Sequence, residues 1–97
     1  MGKIDQLNKA FESRVRLGIM SILMVNDWMD YKSLKTQLNL TDGNLASHIN
    51  GLEKLEYITV RKGFIGKKTN TSYRITPLGK AAFQQHINAL EKLLNSI

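Results

Sequence analysis

Between Tyr57 and Thr76 stand five cations, Arg61, Lys62, Lys67, Lys68 and Arg74, and no acid, so most of the chain's formal net charge of +6 lies within twenty residues. Such a cluster suits electrostatic work. It neutralises a polyanion and releases condensed counterions, whatever the polymer's sequence. A solvated edge hairpin that uses lysine against aggregation has the same composition, and the charge run alone leaves both readings open.

A second set lies just upstream and differs in character. Thr41, Asp42, Gly43, Asn44, Ser47, His48, Asn50, Gly51 and Lys54 are small or polar, with few charges. Asparagine pairs bidentately with adenine, serine bonds either kind of base edge, and glycine lets the backbone come close to a duplex. An ordinary solvent face favours Glu, Lys and Arg instead, and a glycine inside a helix costs about 1 kcal/mol relative to alanine, so Gly43 and Gly51 call for a reason. Asp42 fits a helix start better than a phosphate contact.

Covalent and metal chemistry find little support. The chain has no cysteine, which excludes disulfides, thiolate metal sites and a nucleophilic thiol, and agrees with a reducing cytoplasm. Ser47 and His48 are sequence neighbours whose side chains diverge by about 100° on a helix, so they cannot act as nucleophile and base. His86 reads as a surface or interface residue. No phosphate-binding glycine loop or paired carboxylates appear, and no enzyme activity, cofactor or metal is expected. The apolar run Leu17 to Val25 is too short to span a membrane, and Asn26-Asp27-Trp28 follows where a signal-peptide cleavage site would stand. Gln6 occupies the place of the Ser or Thr that myristoylation needs. A cytoplasmic protein without membrane partners is expected.

These residues need a scaffold. At 97 residues and 42% hydrophobic, the chain suffices for one domain, 1–97. Ile4, Leu7 and Phe11 recur at helical spacing, and Ser13 can cap a stretch through Asn26 bearing Val15, Leu17, Ile19, Ile22 and Leu23; one broken helix or two would fit. Asp30 caps a helix over 31–38, Asn39-Leu40 makes a turn, and Thr41 caps a helix over 41–55. In that helix Leu45, Ile49 and Leu52 form the core stripe, with Leu55 at its border, Gly43, Asn44, Ser47, Asn50, Gly51 and Lys54 opposite, and His48 at the flank. Residues 57–62 and 71–76 read as strands around a loop carrying Gly63, Gly66 and Asn70. Thr76-Pro77 opens a last helix. The order is that of a winged helix-turn-helix: an α+β fold, mainly α, with a two- to three-stranded β wing and a C-terminal dimerisation helix.

Dimerisation is expected mainly because sites read by helix-turn-helix proteins are usually palindromic, and spacing agrees. Phe83, Ile87, Leu90, Leu94 and Ile97 step by 4, 3, 4 and 3, a seam suited to helix pairing. Packing on the chain's own Ile4, Leu7 and Phe11 is the alternative, and both contacts can coexist, with 1–12 and 77–97 contributing to a dimer interface. Lys80 and Lys92 beside Glu91 are too few cations for an interfacial membrane anchor.

Two ordered motifs carry a family resemblance over roughly residues 11–97. Thr41-Asp42-Gly43-Asn44-Leu45, His48-Ile49, Leu52-Glu53-Lys54-Leu55 and Tyr57-Ile58 resemble the recognition-helix signature of small stand-alone winged-helix regulators of the MarR/ArsR-like group. Arg74-Ile75-Thr76-Pro77-Leu78-Gly79-Lys80-Ala81-Ala82-Phe83 resembles that group's second wing strand and closing helix, and Arg14-Val15-Arg16-Leu17 its first core helix. The resemblance implies a dimeric, prokaryotic DNA-binding transcriptional regulator. Helix 41–55 would enter the major groove, while Arg61, Lys62, Lys67, Lys68, Thr69 and Arg74 in the wing 57–76 hold backbone or minor groove of a pseudo-palindromic duplex. A winged-helix protein–protein interaction module is the competing expectation.

Overall fold

A computed structural model of the chain describes residues 3–95. Helix α1 (Arg14–Val25) leads through strand β1 (Met29–Asp30) into α2 (Tyr31–Leu38) and α3 (Asp42–Lys54). The hairpin of β2 (Ile58–Ile65) and β3 (Lys68–Ile75) follows, and α4 (Pro77–Leu94) closes the chain. The antiparallel sheet has the order β1-β3-β2, so the fold is mainly helical with a three-stranded wing sheet.

Each helix start obeys its capping residue. Ser13, Asp30, Thr41 and Thr76 accept backbone N–H groups from Val15, Ser33, Asn44 and Gly79, which satisfies donors the first turn would leave bare. The Ser33 hydroxyl also bonds Asp30 and, with the Ser33 N–H, holds its carboxyl below the ordinary value. Because the folded state favours the charged form, this stability is present at neutral pH and fades as pH falls through the lowered value.

The ends of α2 and α3 use one device twice. Asn39 adopts a left-handed φ of 52°, Leu40 N–H donates to Lys35 O and Asn39 N–H to Thr36 O, the pairing of a Schellman stop. Glu56, at φ 62°, repeats it with Tyr57 N–H on Leu52 O and Glu56 N–H on Glu53 O. These stops turn the chain sharply into α3 and then into the wing.

The N-terminal stretch departs from the helix that Ile4, Leu7 and Phe11 suggest. Two 3₁₀ turns, Lys3–Gln6 and Lys9–Phe11, replace it, because the Asn8 side chain accepts the Ala10 N–H and caps the second turn. Phe11 then falls into the core with Ile19, Met20, Leu23, Leu34, Leu45, Leu52 and Phe83. It meets Phe83 edge-on at 5.3 Å between ring centroids and Tyr57 at 5.6 Å. Phe11 and Phe83, placed in the dimer seam by spacing, are therefore buried inside the chain. His86 corrects in the same direction: it is buried, its Nδ1 accepts the Asn8 N–H at 3.0 Å, and its ring stands edge-on to Phe11.

The wing is fastened to α4 by backbone. The Thr76 N–H donates to Tyr57 O at 3.0 Å, the Thr76 hydroxyl to Glu56 O at 2.6 Å, and Gly79 lies directly on the Tyr57 carbonyl, leaving no room for a Cβ.

Candidate nucleic-acid interface

The joint between α2 and α3 is held at the start of α3. The Tyr31 hydroxyl donates to Asp42 O at 3.0 Å and Lys35 Nζ lies 3.0 Å from Asp42 Oδ1. Both ionic partners are solvent-exposed enough for the pair to contribute under about 1 kcal/mol, so orientation is its main effect. Asp42 thus serves the helix start and the helix joint.

Leu45, Ile49 and Leu52 bury one stripe of α3. Asp42, Gly43, Asn44, Ser47, Asn50 and Lys54 are exposed, and Thr41 is exposed at the cap. Around Gly43 no atom lies within 4 Å of a would-be Cβ, so its helix surface is open. Gly51 differs. Arg16, from α1, lays its guanidinium on Gly51, and the Arg16 Nε donates to His48 Nδ1 at 3.2 Å. Gly51 and half-buried His48 therefore face a cation of the same chain, a role their sequence positions did not reveal. Arg16 is a residue that sequence reasoning missed, since its partner lies 32 positions away.

The hairpin divides its cations between two faces. Directly paired residues share a face, so Ile58/Ile75, Val60/Tyr73, Lys62/Thr71 and Phe64/Thr69 form one row and Thr59/Arg74, Arg61/Ser72 and Ile65/Lys68 the other. The first row contains the core residues Ile58 and Tyr73, so Lys62 and Thr69 extend the helix-facing side. On the other side Arg61 stacks over Trp28 at 4.1 Å, Arg74 lies 5.8 Å from the same ring, and Arg74 Nε pairs with Asp27 at 3.1 Å. Among the described residues Lys62, Lys67 and Lys68 have no ion pair. The five cations thus form no single patch: two are engaged at the wing root and three are unpaired further out.

The wing is longer than its sequence suggested. Gly63 pairs with Asn70 inside the ladder, leaving Gly66-Lys67 as a two-residue turn with Gly66 at φ 64°. Every residue from Phe64 to Thr69 is exposed. Phe64 and Ile65, 75% and 68% exposed, put an apolar pair beside Lys67 and Lys68. Sequence reasoning passed over them, though two adjacent apolar residues in a basic ribbon were a visible signal.

The proposed dimer residues separate by exposure. Phe11 and Phe83 are internal, Leu7 and Ile87 half-buried, and Ile4, Leu90 and Leu94 exposed. Ile97 lies outside the described residues. No described helix is long and apolar enough to cross a membrane, and no described group of three or more His, Asp or Glu residues is placed to hold a metal ion.

Three helices with a sharp joint between the second and third, a basic hairpin and a closing helix define a winged helix-turn-helix domain. Residues 15–94 match the winged helix DNA-binding domain family, and the chain belongs to it. A protein of Methanocaldococcus jannaschii is 35% identical over 89 residues, covering 92% of this chain and 97% of its own length, and is uncharacterised. The structure of a transcriptional regulator homologue from Pyrococcus horikoshii OT3 superposes with a TM-score of 0.80 at 26% identity, covering 98% of this chain and 96% of its own. Reduced HlyU from Vibrio cholerae shares the fold at a TM-score of 0.69 and 23% identity, over 98% of this chain and 90% of its own. The small winged-helix regulator implied by the resemblance is thus the class to which this chain corresponds in fold and family.

Proposed function

We propose that the chain is a sequence-specific transcriptional regulator that binds double-stranded DNA as a homodimer. Two copies of α3 enter successive major grooves about 34 Å apart on a pseudo-palindromic site. Asn44, Ser47 and His48 contact base edges or phosphates, with Asn50, Gly51 and Lys54 beside them. Lys62, Lys67, Lys68 and Thr69 hold backbone or minor groove, while Arg61 and Arg74 serve the wing root. Ile4, Leu90 and Leu94, with Leu7 and Ile87, join the two protomers. The observation that carries this reading is the pairing, in one small domain, of an exposed and nearly uncharged α3 face with wing lysines that have no described acid partner. The family and the Pyrococcus horikoshii regulator homologue support it.

The test separates position from sequence. Replacing Lys67 and Lys68 together by alanine is expected to weaken binding to every duplex and to lower the slope of log affinity against log salt by about one per lost phosphate contact. Asn44→Ala is expected to relax discrimination at one base pair by roughly 1–3 kcal/mol and to leave the slope alone. An unchanged slope in the lysine variant would remove the wing from the interface.

The exposed Phe64 and Ile65, one on each face of the wing tip, favour a second reading, a protein-interaction module. A mobility shift on random duplex distinguishes the two, because the module would show no affinity at either low or moderate salt.

A further inference from the structure

We infer that Arg16 is a positioning residue that fixes the His48 ring in one tautomer and so makes His48 a donor-only reader of the major groove, with Gly51 supplying the space this requires. The inference rests on α3 entering the groove, as proposed above. A guanidinium has donors and no acceptor, so the ring nitrogen facing Arg16 Nε at 3.2 Å must be the acceptor. The ring proton then sits on Nε2. A free imidazole exchanges between its two tautomers, whereas this one is held in a single form.

The local packing is built around that contact. On a helix, positions 44, 48 and 51 follow each other by four and three residues and share one flank, so Arg16 lies along the same ridge as Asn44. A Cβ at residue 51 would stand 2.9 Å from Arg16 Cζ and would overlap Nη2. A side chain there pushes the guanidinium outward and strains its bond to His48. Among the described residues no protein group bonds His48 Nε2, so its N–H is left for an outside acceptor.

The consequence is a rule about bases. Guanine offers N7 and O6, adenine offers N7 and thymine O4 as acceptors in the major groove, whereas cytosine offers only its amino donor. A donor-only His48 rejects cytosine on the strand it faces and favours guanine. An imidazole free to switch tautomer accepts from the cytosine amino group and loses that discrimination.

Two variants and two measurements test this. Arg16→Met keeps a long unbranched side chain and removes every donor facing His48 Nδ1; Gly51→Ala keeps Arg16, pushes its guanidinium outward, and replaces glycine by a better helix former. Wild type is expected to discriminate roughly threefold to tenfold against cytosine at one base pair, the scale of one hydrogen bond. Both variants should weaken that preference. Long-range ¹H–¹⁵N spectra of the free chain should show His48 as the Nε2–H form in wild type and as a mixture in Arg16→Met. His86, whose Nδ1 also accepts an N–H, should stay fixed as an internal reference.

A wild-type His48 that is averaged or carries its proton on Nδ1 overturns the inference without any DNA present. Unchanged base preference in both variants, with duplex binding intact, overturns it alone. A wild-type chain that has the fixed tautomer and binds no duplex overturns the groove reading and this inference together.

Discussion

Phe11→Ala is expected to lower the unfolding free energy by about 3–5 kcal/mol, the usual cost of emptying a large aromatic site in a core. Phe11 is 1% exposed and its ring meets Tyr57, Phe83 and His86, so removal strips contacts from the N-terminal segment, the wing root and α4 together. Domains of this kind are commonly stable by only 5–15 kcal/mol, so much of the folded state's margin would go. Urea denaturation at several protein concentrations checks the assignment. A core residue gives a loss independent of concentration, whereas a loss appearing only on dilution would return Phe11 to an interface between protomers.

Gly79→Ala is expected to destabilise by about 2 kcal/mol although alanine is the better helix former. Its Cβ would meet the carbonyl oxygen of Tyr57, and backbone fixed by the Thr76 bonds cannot swing aside as a side chain would. Overpacking at such a site costs up to about 3 kcal/mol, offset by about 1 from helix propensity. Gly43→Ala provides the contrast. With nothing within 4 Å of its Cβ, it should stabilise the free chain by about 0.5–1 kcal/mol. Denaturation midpoints that moved in the same direction for both variants would show that the Tyr57 contact is looser than its geometry requires.

Local chemistry was legible in the sequence. Ser13, Asp30, Thr41 and Thr76-Pro77 announce helix starts through their own side chains, and α2 runs over the residues its cap and turn define. The wing strands were underestimated because Gly63 and Asn70 look like breakers, yet they face each other in the ladder, where pairing overrides propensity. The seam from Phe83 was ambiguous because spacing marks an apolar face without saying what covers it; the chain's own Phe11 takes the first position. On α3 the helical period alone gave the exposed Gly43, Asn44, Ser47, Asn50 and Lys54, whereas Gly51 is half-buried under Arg16. Arg16 on Gly51 and the two arginines around Trp28 depend on contacts far apart in sequence, which one chain cannot display.

The lone tryptophan gives those arginines a further use. Its indole sits under Arg61 and beside Arg74, half-buried where β1 meets the wing. Anything that draws either guanidinium away alters the surroundings of the only strong fluorophore in the molecule. The chain therefore carries an unlabelled optical gauge at the base of the ribbon, and titrations can follow its emission with no dye attached.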